Sequence, residues 1–250
     1  TIDNYVYPIT QTLGAWTAAE QGAIFFENIV NENTTSDRQL IIHEVMGRHC
    51  GWLTAATAFE YRKRLENLQF IEELNIIKEK WDIHSILIPE KEIDFDLECK
   101  RLNNIMNKYD CVNIFLSEGA GQQLIIAEKT KNGEHIERDA FGHVRLDDLN
   151  PGKWFAKEFS KRLSANKVLI QKSGYFSRSA KPNLKDLELI IKCADKAVES
   201  AVKGISGVVG WDEENNNTLT TIKFNRIKGG KPFDTNQAWY TKMLTEIKNI

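Results

Sequence analysis

The sequence predicts an α/β protein built on parallel sheets. Two observations carry that prediction. Short apolar runs alternate with segments of helical period, and no repeat, low-complexity stretch or flexible linker interrupts them. Several of the runs also deliver glycines and polar groups at their carboxyl ends, which is where open parallel sheets bind ligands.

Residues 1–12 read as a loop, because Pro8 and many β-branched residues oppose a helix. Asp3 within it reads, on its own, as a cap or turn former. Ala18, Ala19, Gly22, Ala23, Phe26, Ile29 and Val30 recur at three- and four-residue steps and predict a helix over 15–30. The polar run 31–36 ends it. Arg38 then reads as a solvated arginine before a strand over 40–45. Gly47 and Gly51 make a tight turn into a helix with Leu53, Ala56, Thr57 and Phe59 near one face. That helix ends in Tyr61-Arg62-Lys63-Arg64, a basic cluster that complements its dipole. Its amino terminus offers free N–H groups to an anion. Arg48 adds a planar fork matched to phosphate. Arg48, with Gly47 and Gly51, is therefore a candidate phosphate site, although the same residues fit a plain strand–helix connection with a surface arginine.

Further strands are expected over 85–88, 112–116 and 167–171. Asp94 or Asp96 is expected to cap a helix over 97–106. The strand 112–116 ends in Ser117-Glu118-Gly119-Ala120-Gly121, so a carboxylate stands at a strand end, where a helix-start glutamate is also favoured by the dipole. Residues 130–150 read as an irregular connection or hairpin. His135 and His143 fall there without a third or fourth ligand spaced to join them, so they read as exposed rather than metal-binding. Asn150-Pro151-Gly152 starts a helix to Leu163. A long helix over 183–202 is expected to bury Leu187, Leu189, Ile190, Ala194, Ala197 and Val198, with Gly204 as its stop. Two strands, 207–211 and 219–224, flank a hairpin-like turn. Lys228-Gly229-Gly230-Lys231 fails the phosphate-loop pattern and reads as an exposed turn. Asp234 or Thr235 is expected to cap a final helix over 237–247.

Composition excludes several classes. The 33 basic and 35 acidic residues give a net charge of −2, so no overall field attracts nucleic acid. Cys50, Cys99, Cys111 and Cys193 are widely spaced and form no Cys-x-x-Cys pair, which reads as buried or free thiols in a reducing compartment. No apolar run approaches the roughly 18 residues of a membrane span. A hydrophobic content of 42% suits a sizeable core in one large or two small domains.

Three segments resemble one family. Glu44-Val45-Met46-Gly47-Arg48-His49-Cys50-Gly51 looks like the sugar-phosphate signature of the phosphofructokinases. Thr1-Ile2-Asp3-Asn4 looks like their catalytic loop, and Gly174-Tyr175-Phe176-Ser177-Arg178-Ser179 like a third signature in its pyrophosphate-dependent form. The resemblance implies Rossmann-like three-layer domains, with an amino-terminal donor-binding domain largely missing from this chain. It implies a domain plan in which 1–14 ends the donor-binding domain, 15–175 forms the sugar-phosphate domain, 176–225 returns to the donor domain and 226–250 packs back on the sugar-phosphate domain. It also implies phosphoryl transfer from pyrophosphate to the 1-hydroxyl of fructose 6-phosphate, reversibly, in glycolysis. Asp3 would be the general base. Thr1, Met46, Gly47, Arg48 and Glu118 would bind the sugar phosphate, and Tyr175 and Arg178 would hold its 6-phosphate.

Magnesium is the implied cofactor, with no metal ligand assigned in this chain. A cytoplasmic homo-oligomer, dimer or tetramer, is the implied assembly, with no nucleic-acid or membrane partner. The family's second aspartate is replaced here by Tyr5, and a lysine that often precedes the threonine would stand before Thr1. An ATP-dependent phosphofructokinase and a non-catalytic sugar-phosphate-binding regulatory subunit are the alternatives.

Overall fold

The computed structural model describes residues 2–134 and 149–249. Thr1, His135 and His143 lie outside the described residues. Among the described residues the helices are α1 (Ala15–Val30), α2 (Trp52–Leu65), α3 (Lys78–Trp81), α4 (Phe95–Tyr109), α5 (Gln122–Lys131), α6 (Pro151–Leu163), α7 (Gly174–Arg178), α8 (Leu184–Val202) and α9 (Ala238–Glu246). The strands are β1 (Gln39–Val45), β2 (Ser85–Leu87), β3 (Cys111–Ser117), β4 (Lys167–Lys172), β5 (Val208–Asp212) and β6 (Thr218–Ile222).

Four strands form one parallel sheet in the order β2-β3-β1-β4. Side chains alternate along a strand, so β1 feeds two cores. Ile41 points into a core with Phe26, Tyr61 and Phe115, formed with α1 and α2. Leu40 and Ile42 point into a second core with Phe155 and Phe159 of α6 and Leu102 and Met106 of α4. Helices on both faces explain why β1 and β3 are buried along their whole length. Phe26 lies edge-on to Tyr61 at 4.8 Å and to Phe115 at 4.6 Å, an arrangement that adds about 0.5–1.5 kcal/mol per pair beyond area burial. Phe233, Tyr240, Met243 and Leu244 bring the carboxyl-terminal segment and α9 into the same core.

The sheet register brings the functional ends together. Val45 pairs with Ser117, and Glu44 with Lys172, so β1, β3 and β4 finish at one level. β5 and β6 form a separate antiparallel hairpin that holds the first segment. Ile9 bridges to Asp212, and the Thr10 N–H donates to the Trp211 carbonyl at 3.0 Å.

The sequence reading needs correction in three places. α8 buries Asp186, Leu189 and Ser200, whereas Leu187, Ile190, Ala194, Ala197 and Val198 are exposed. The helix rests on α1 and the β5–β6 hairpin by one edge, and its remaining apolar face, with Leu184, Ile191, Val198 and Val202, is exposed. The buried Asp186 carboxylate anchors that edge by accepting from the Gly14 and Thr17 N–H groups and the Thr17 hydroxyl. Neither Asp234 nor Thr235 caps α9: Gln237 precedes the helix without a side-chain cap, and Asp234 accepts instead from the Asn236 N–H. The sequence reading assigns no element to residues 122–131, which form α5. Asp94 does cap α4, accepting from the Leu97 N–H at 3.0 Å, and all four cysteines are free thiols.

Candidate active site

A cavity of about 530 Å³ opens at the carboxyl ends of β1, β3 and β4. It brings together Met46, Glu118, Tyr175 and Arg178, which the sequence places up to 132 positions apart, since 178 − 46 = 132. A larger and more apolar groove, about 900 Å³, lies between α1, α2 and the start of α8. It is lined by Trp16, Trp52, Phe59 and Trp239 and gathers none of the candidate residues, so the smaller cavity is the candidate site.

The loops after β1 and β3 interlock. Gly47 sits at φ +138°, and a side chain there would meet the Cys50 carbonyl at 2.4 Å. Gly119 lies so close beneath the Arg48 carbonyl that a Cβ would approach it to 1.9 Å. With these approaches open, the Gly47 N–H donates to Glu118 Oε1 at 3.2 Å and the Ser117 hydroxyl donates to the Gly47 carbonyl. Glu118 is thus held by the very turn that carries Arg48. Burial raises its pKa first, Glu44 and Asp3 add to the rise, and the Gly47 N–H and Arg48 oppose it. Asp3 is half-buried, and its charge reaches both Glu118 and Cys50. Burial pushes the Cys50 thiol up to about 12, so it is no nucleophile near neutral pH.

Arg48 is exposed and is not among the residues lining the cavity; it stands beside Gly119 at the turn. Tyr175 is 88% exposed and Arg178 is also exposed, both on the single-turn helix α7. The turn is fixed from beneath. Ser173 is buried, its hydroxyl lies 2.8 Å from His43 Nε2, and its carbonyl accepts from the Ser177 N–H. His43 is fully buried between Phe26 and Phe115, and burial holds its pKa down to about 3, so it is neutral. Met46 packs under Gly174, which links the first signature to the third.

The structure adds residues that the sequence reading gave no role. Glu44 and Lys172 also line the cavity. Glu44 Oε1 pairs with Lys172 Nζ at 2.7 Å, and Oε2 accepts from the Gly152 N–H at the start of α6. Glu44 opens the first signature and Lys172 stands two residues before the third, but no sequence spacing pairs them. Tyr5 lies against His49 at 5.5 Å and against the Gly229–Gly230 turn. That turn is exposed as expected, yet it pins the first segment: Tyr7 and Lys228 exchange backbone hydrogen bonds, and the Lys231 N–H donates to the Tyr5 carbonyl at 3.0 Å. Arg38 lies at the opposite end of the sheet, where it donates to the Ser164 carbonyl and to Asn107.

Known proteins resemble this chain in sequence and fold. A phosphofructokinase family profile matches residues 1–201. The chain is 55% identical over 247 residues to the pyrophosphate–fructose 6-phosphate 1-phosphotransferase of Methylomonas methanica, covering 99% of this chain and 60% of that relative. It is 51% identical to the protein of the same name from Mastigamoeba balamuthi, again over 99% of this chain and 60% of the relative. The chain therefore spans about three-fifths of the length of these relatives. Among solved structures, the pyrophosphate-dependent phosphofructokinase from Marinobacter aquaeolei matches with a TM-score of 0.56 at 20% identity, over 97% of this chain and 58% of that one. The fold match with Pichia pastoris phosphofructokinase has a TM-score of 0.55 at 18% identity, over 100% of this chain and 21% of that one. With its parallel three-layer sheet and a family match over most of its length, the chain belongs to the phosphofructokinase family.

Proposed function

We propose that this chain carries the sugar-phosphate half of an enzyme that transfers a phosphoryl group from pyrophosphate to the 1-hydroxyl of fructose 6-phosphate, giving fructose 1,6-bisphosphate and phosphate. The observation that supports this reading most is the cavity that joins Glu118 to Tyr175 and Arg178. A carboxylate accepts hydrogen bonds from sugar hydroxyls, while a guanidinium and a phenol donate to a phosphate. Asp3 is the base that takes the hydroxyl proton, Glu118 orients the sugar, and Met46, Gly47 and Arg48 shape the sugar-phosphate turn. Phosphoryl transfer needs mainly positioning and charge stabilisation, and these residues supply the positioning.

Magnesium neutralises charge on a transferring phosphoryl group. The donor set here fits an ion carried mainly by the donor's phosphates, because Asp3 is a single carboxylate, Tyr5 stands where the family has a second, and the described residues include no cluster of three or more metal-binding side chains. In this reading the exposed apolar face of α8, with Leu184, Ile191, Val198 and Val202, packs against the donor-binding domain. The protein works in glycolysis as a cytoplasmic homo-oligomer, and among the described residues no helix is long and apolar enough to cross a membrane.

The donor assignment follows Tyr175 and Arg178 in the third signature and the names of the 51–55% identical relatives. Bisphosphate formation measured with pyrophosphate and with ATP at equal magnesium, in the full-length protein that carries this chain, tests it. Turnover with pyrophosphate well above that with ATP is expected; comparable or better turnover with ATP overturns the donor assignment.

A further inference from the structure

Glu44 and Lys172 are directly opposed residues of neighbouring parallel strands, at the end of the sheet where the cavity opens. Glu44 is only 7% exposed, so its charge needs compensation. It receives that twice, from the Lys172 ammonium at 2.7 Å and from the Gly152 N–H at 2.9 Å. Gly152 belongs to the first turn of α6, a thirteen-residue helix whose positive end also favours the carboxylate. With Glu44 satisfied in part by a helix terminus, it does not use up the positive charge of Lys172. An ammonium has three donors, and Glu44 takes one. The Lys172 side chain is 55% exposed and stands on the wall of the cavity, two residues before the turn that carries Tyr175 and Arg178.

The cavity wall therefore offers both kinds of polar group: Glu118 lines it as an acceptor, and Lys172 and Arg178 line it as donors. We propose that Lys172, held in register by Glu44, is a further substrate-binding residue of this cavity and contacts the phosphate group of a sugar monophosphate together with Arg178. This rests on the sugar-phosphate reading above and extends it to a residue outside the three recognised signatures.

The test compares the parent protein with Lys172→Met, which keeps the aliphatic stem, and Lys172→Arg, which keeps the charge. Fructose 6-phosphate affinity is measured by calorimetry at several salt concentrations, beside KM and kcat for phosphoryl transfer. Loss of one half-exposed charge-assisted contact is expected to weaken affinity by about tenfold and to raise KM equally, with kcat at saturation nearly unchanged. The affinity of Lys172→Met is expected to depend less on salt, and Lys172→Arg to recover most of the loss. Unchanged affinity in a folded Lys172→Met overturns the inference and leaves the wider reading standing. A loss that Lys172→Arg does not restore, with a lowered melting temperature, also overturns it by assigning Lys172 to the fold. If the parent protein binds no fructose 6-phosphate, the functional reading itself fails, and this inference fails with it.

Discussion

The first segment, which carries the proposed base Asp3, and the α7 turn, which carries the proposed phosphate ligands Tyr175 and Arg178, are built in opposite ways. Residues 2–12 are tied down along their length. Asn4 is buried and accepts from both the N–H and the hydroxyl of Thr12 at 2.8 Å, while its amide donates to Gln11. Tyr7 pairs with Lys228, Ile9 with Asp212, and the Lys231 ammonium donates to the Ile9 carbonyl. By contrast, α7 rises from a buried Ser173 and leaves Tyr175, Phe176 and Arg178 exposed. A general base must sit within hydrogen-bond reach of one proton, so its loop has to be fixed before substrate arrives. Groups that grip a phosphate tolerate late ordering, because the ligand supplies the charge that organises them.

The largest expected effect breaks the fixed end. Asp3→Asn removes the proton acceptor but leaves the loop's backbone ties in place. We expect kcat to fall by roughly 10²–10⁴-fold with little change in fructose 6-phosphate affinity. Near-parental turnover in steady-state kinetics contradicts the role given to Asp3. The next effect breaks the exposed end. Arg178→Ala is expected to raise KM by about 10–100-fold while kcat changes far less, because in its proposed role Arg178 grips a group that does not react. A large loss of kcat with KM unchanged would move Arg178 to the transferred phosphoryl group.

A smaller effect concerns two buried histidines, His43 beneath the exposed end and His84 just before β2. His43 and His84 are buried, and burial lowers their pKa values from 6.5 to about 3 and about 4. His84 is neutral by geometry as well, since its Nδ1 accepts from the Asn113 N–H at 2.9 Å. The unfolded chain binds more protons than the folded one between those values and 6.5, so stability falls as pH drops through that window. The slope reaches at most about 1.4 kcal/mol per pH unit for each histidine. Denaturation midpoints recorded from pH 7 to pH 5, above most carboxylate titration, check this. A flat profile contradicts neutral burial.

Much of the sheet was legible because β1 and β3 are buried on both faces and read as short apolar runs, 40–45 and 112–116. The glycine turns marked the strand ends, and so the cavity's Met46, Glu118 and Tyr175. Other features depend on what packs where, which local pattern does not encode. The apolar spacing of α8 suggested burial, but a helical period shows only that an apolar face exists. Glu44 and Lys172 are 128 positions apart, since 172 − 44 = 128, and meet only through strand register. The Lys228–Lys231 turn looked inert as a motif, and its part in holding Tyr5 and Tyr7 comes from backbone atoms that carry no sequence signal.

The comparison between the fixed and the exposed ends can be tested directly by hydrogen–deuterium exchange with and without fructose 6-phosphate. Residues 2–12 are already hydrogen-bonded to the hairpin and the carboxyl-terminal segment, so their exchange should change little. Exchange over 46–48, 118–121 and 173–179 should slow when the sugar phosphate binds, because those segments carry Met46, Glu118, Gly174, Tyr175 and Arg178 of the cavity wall. Slowing confined to the aromatic groove lined by Trp16, Trp52 and Trp239, with none over 173–179, would contradict the assignment of the sugar-phosphate site.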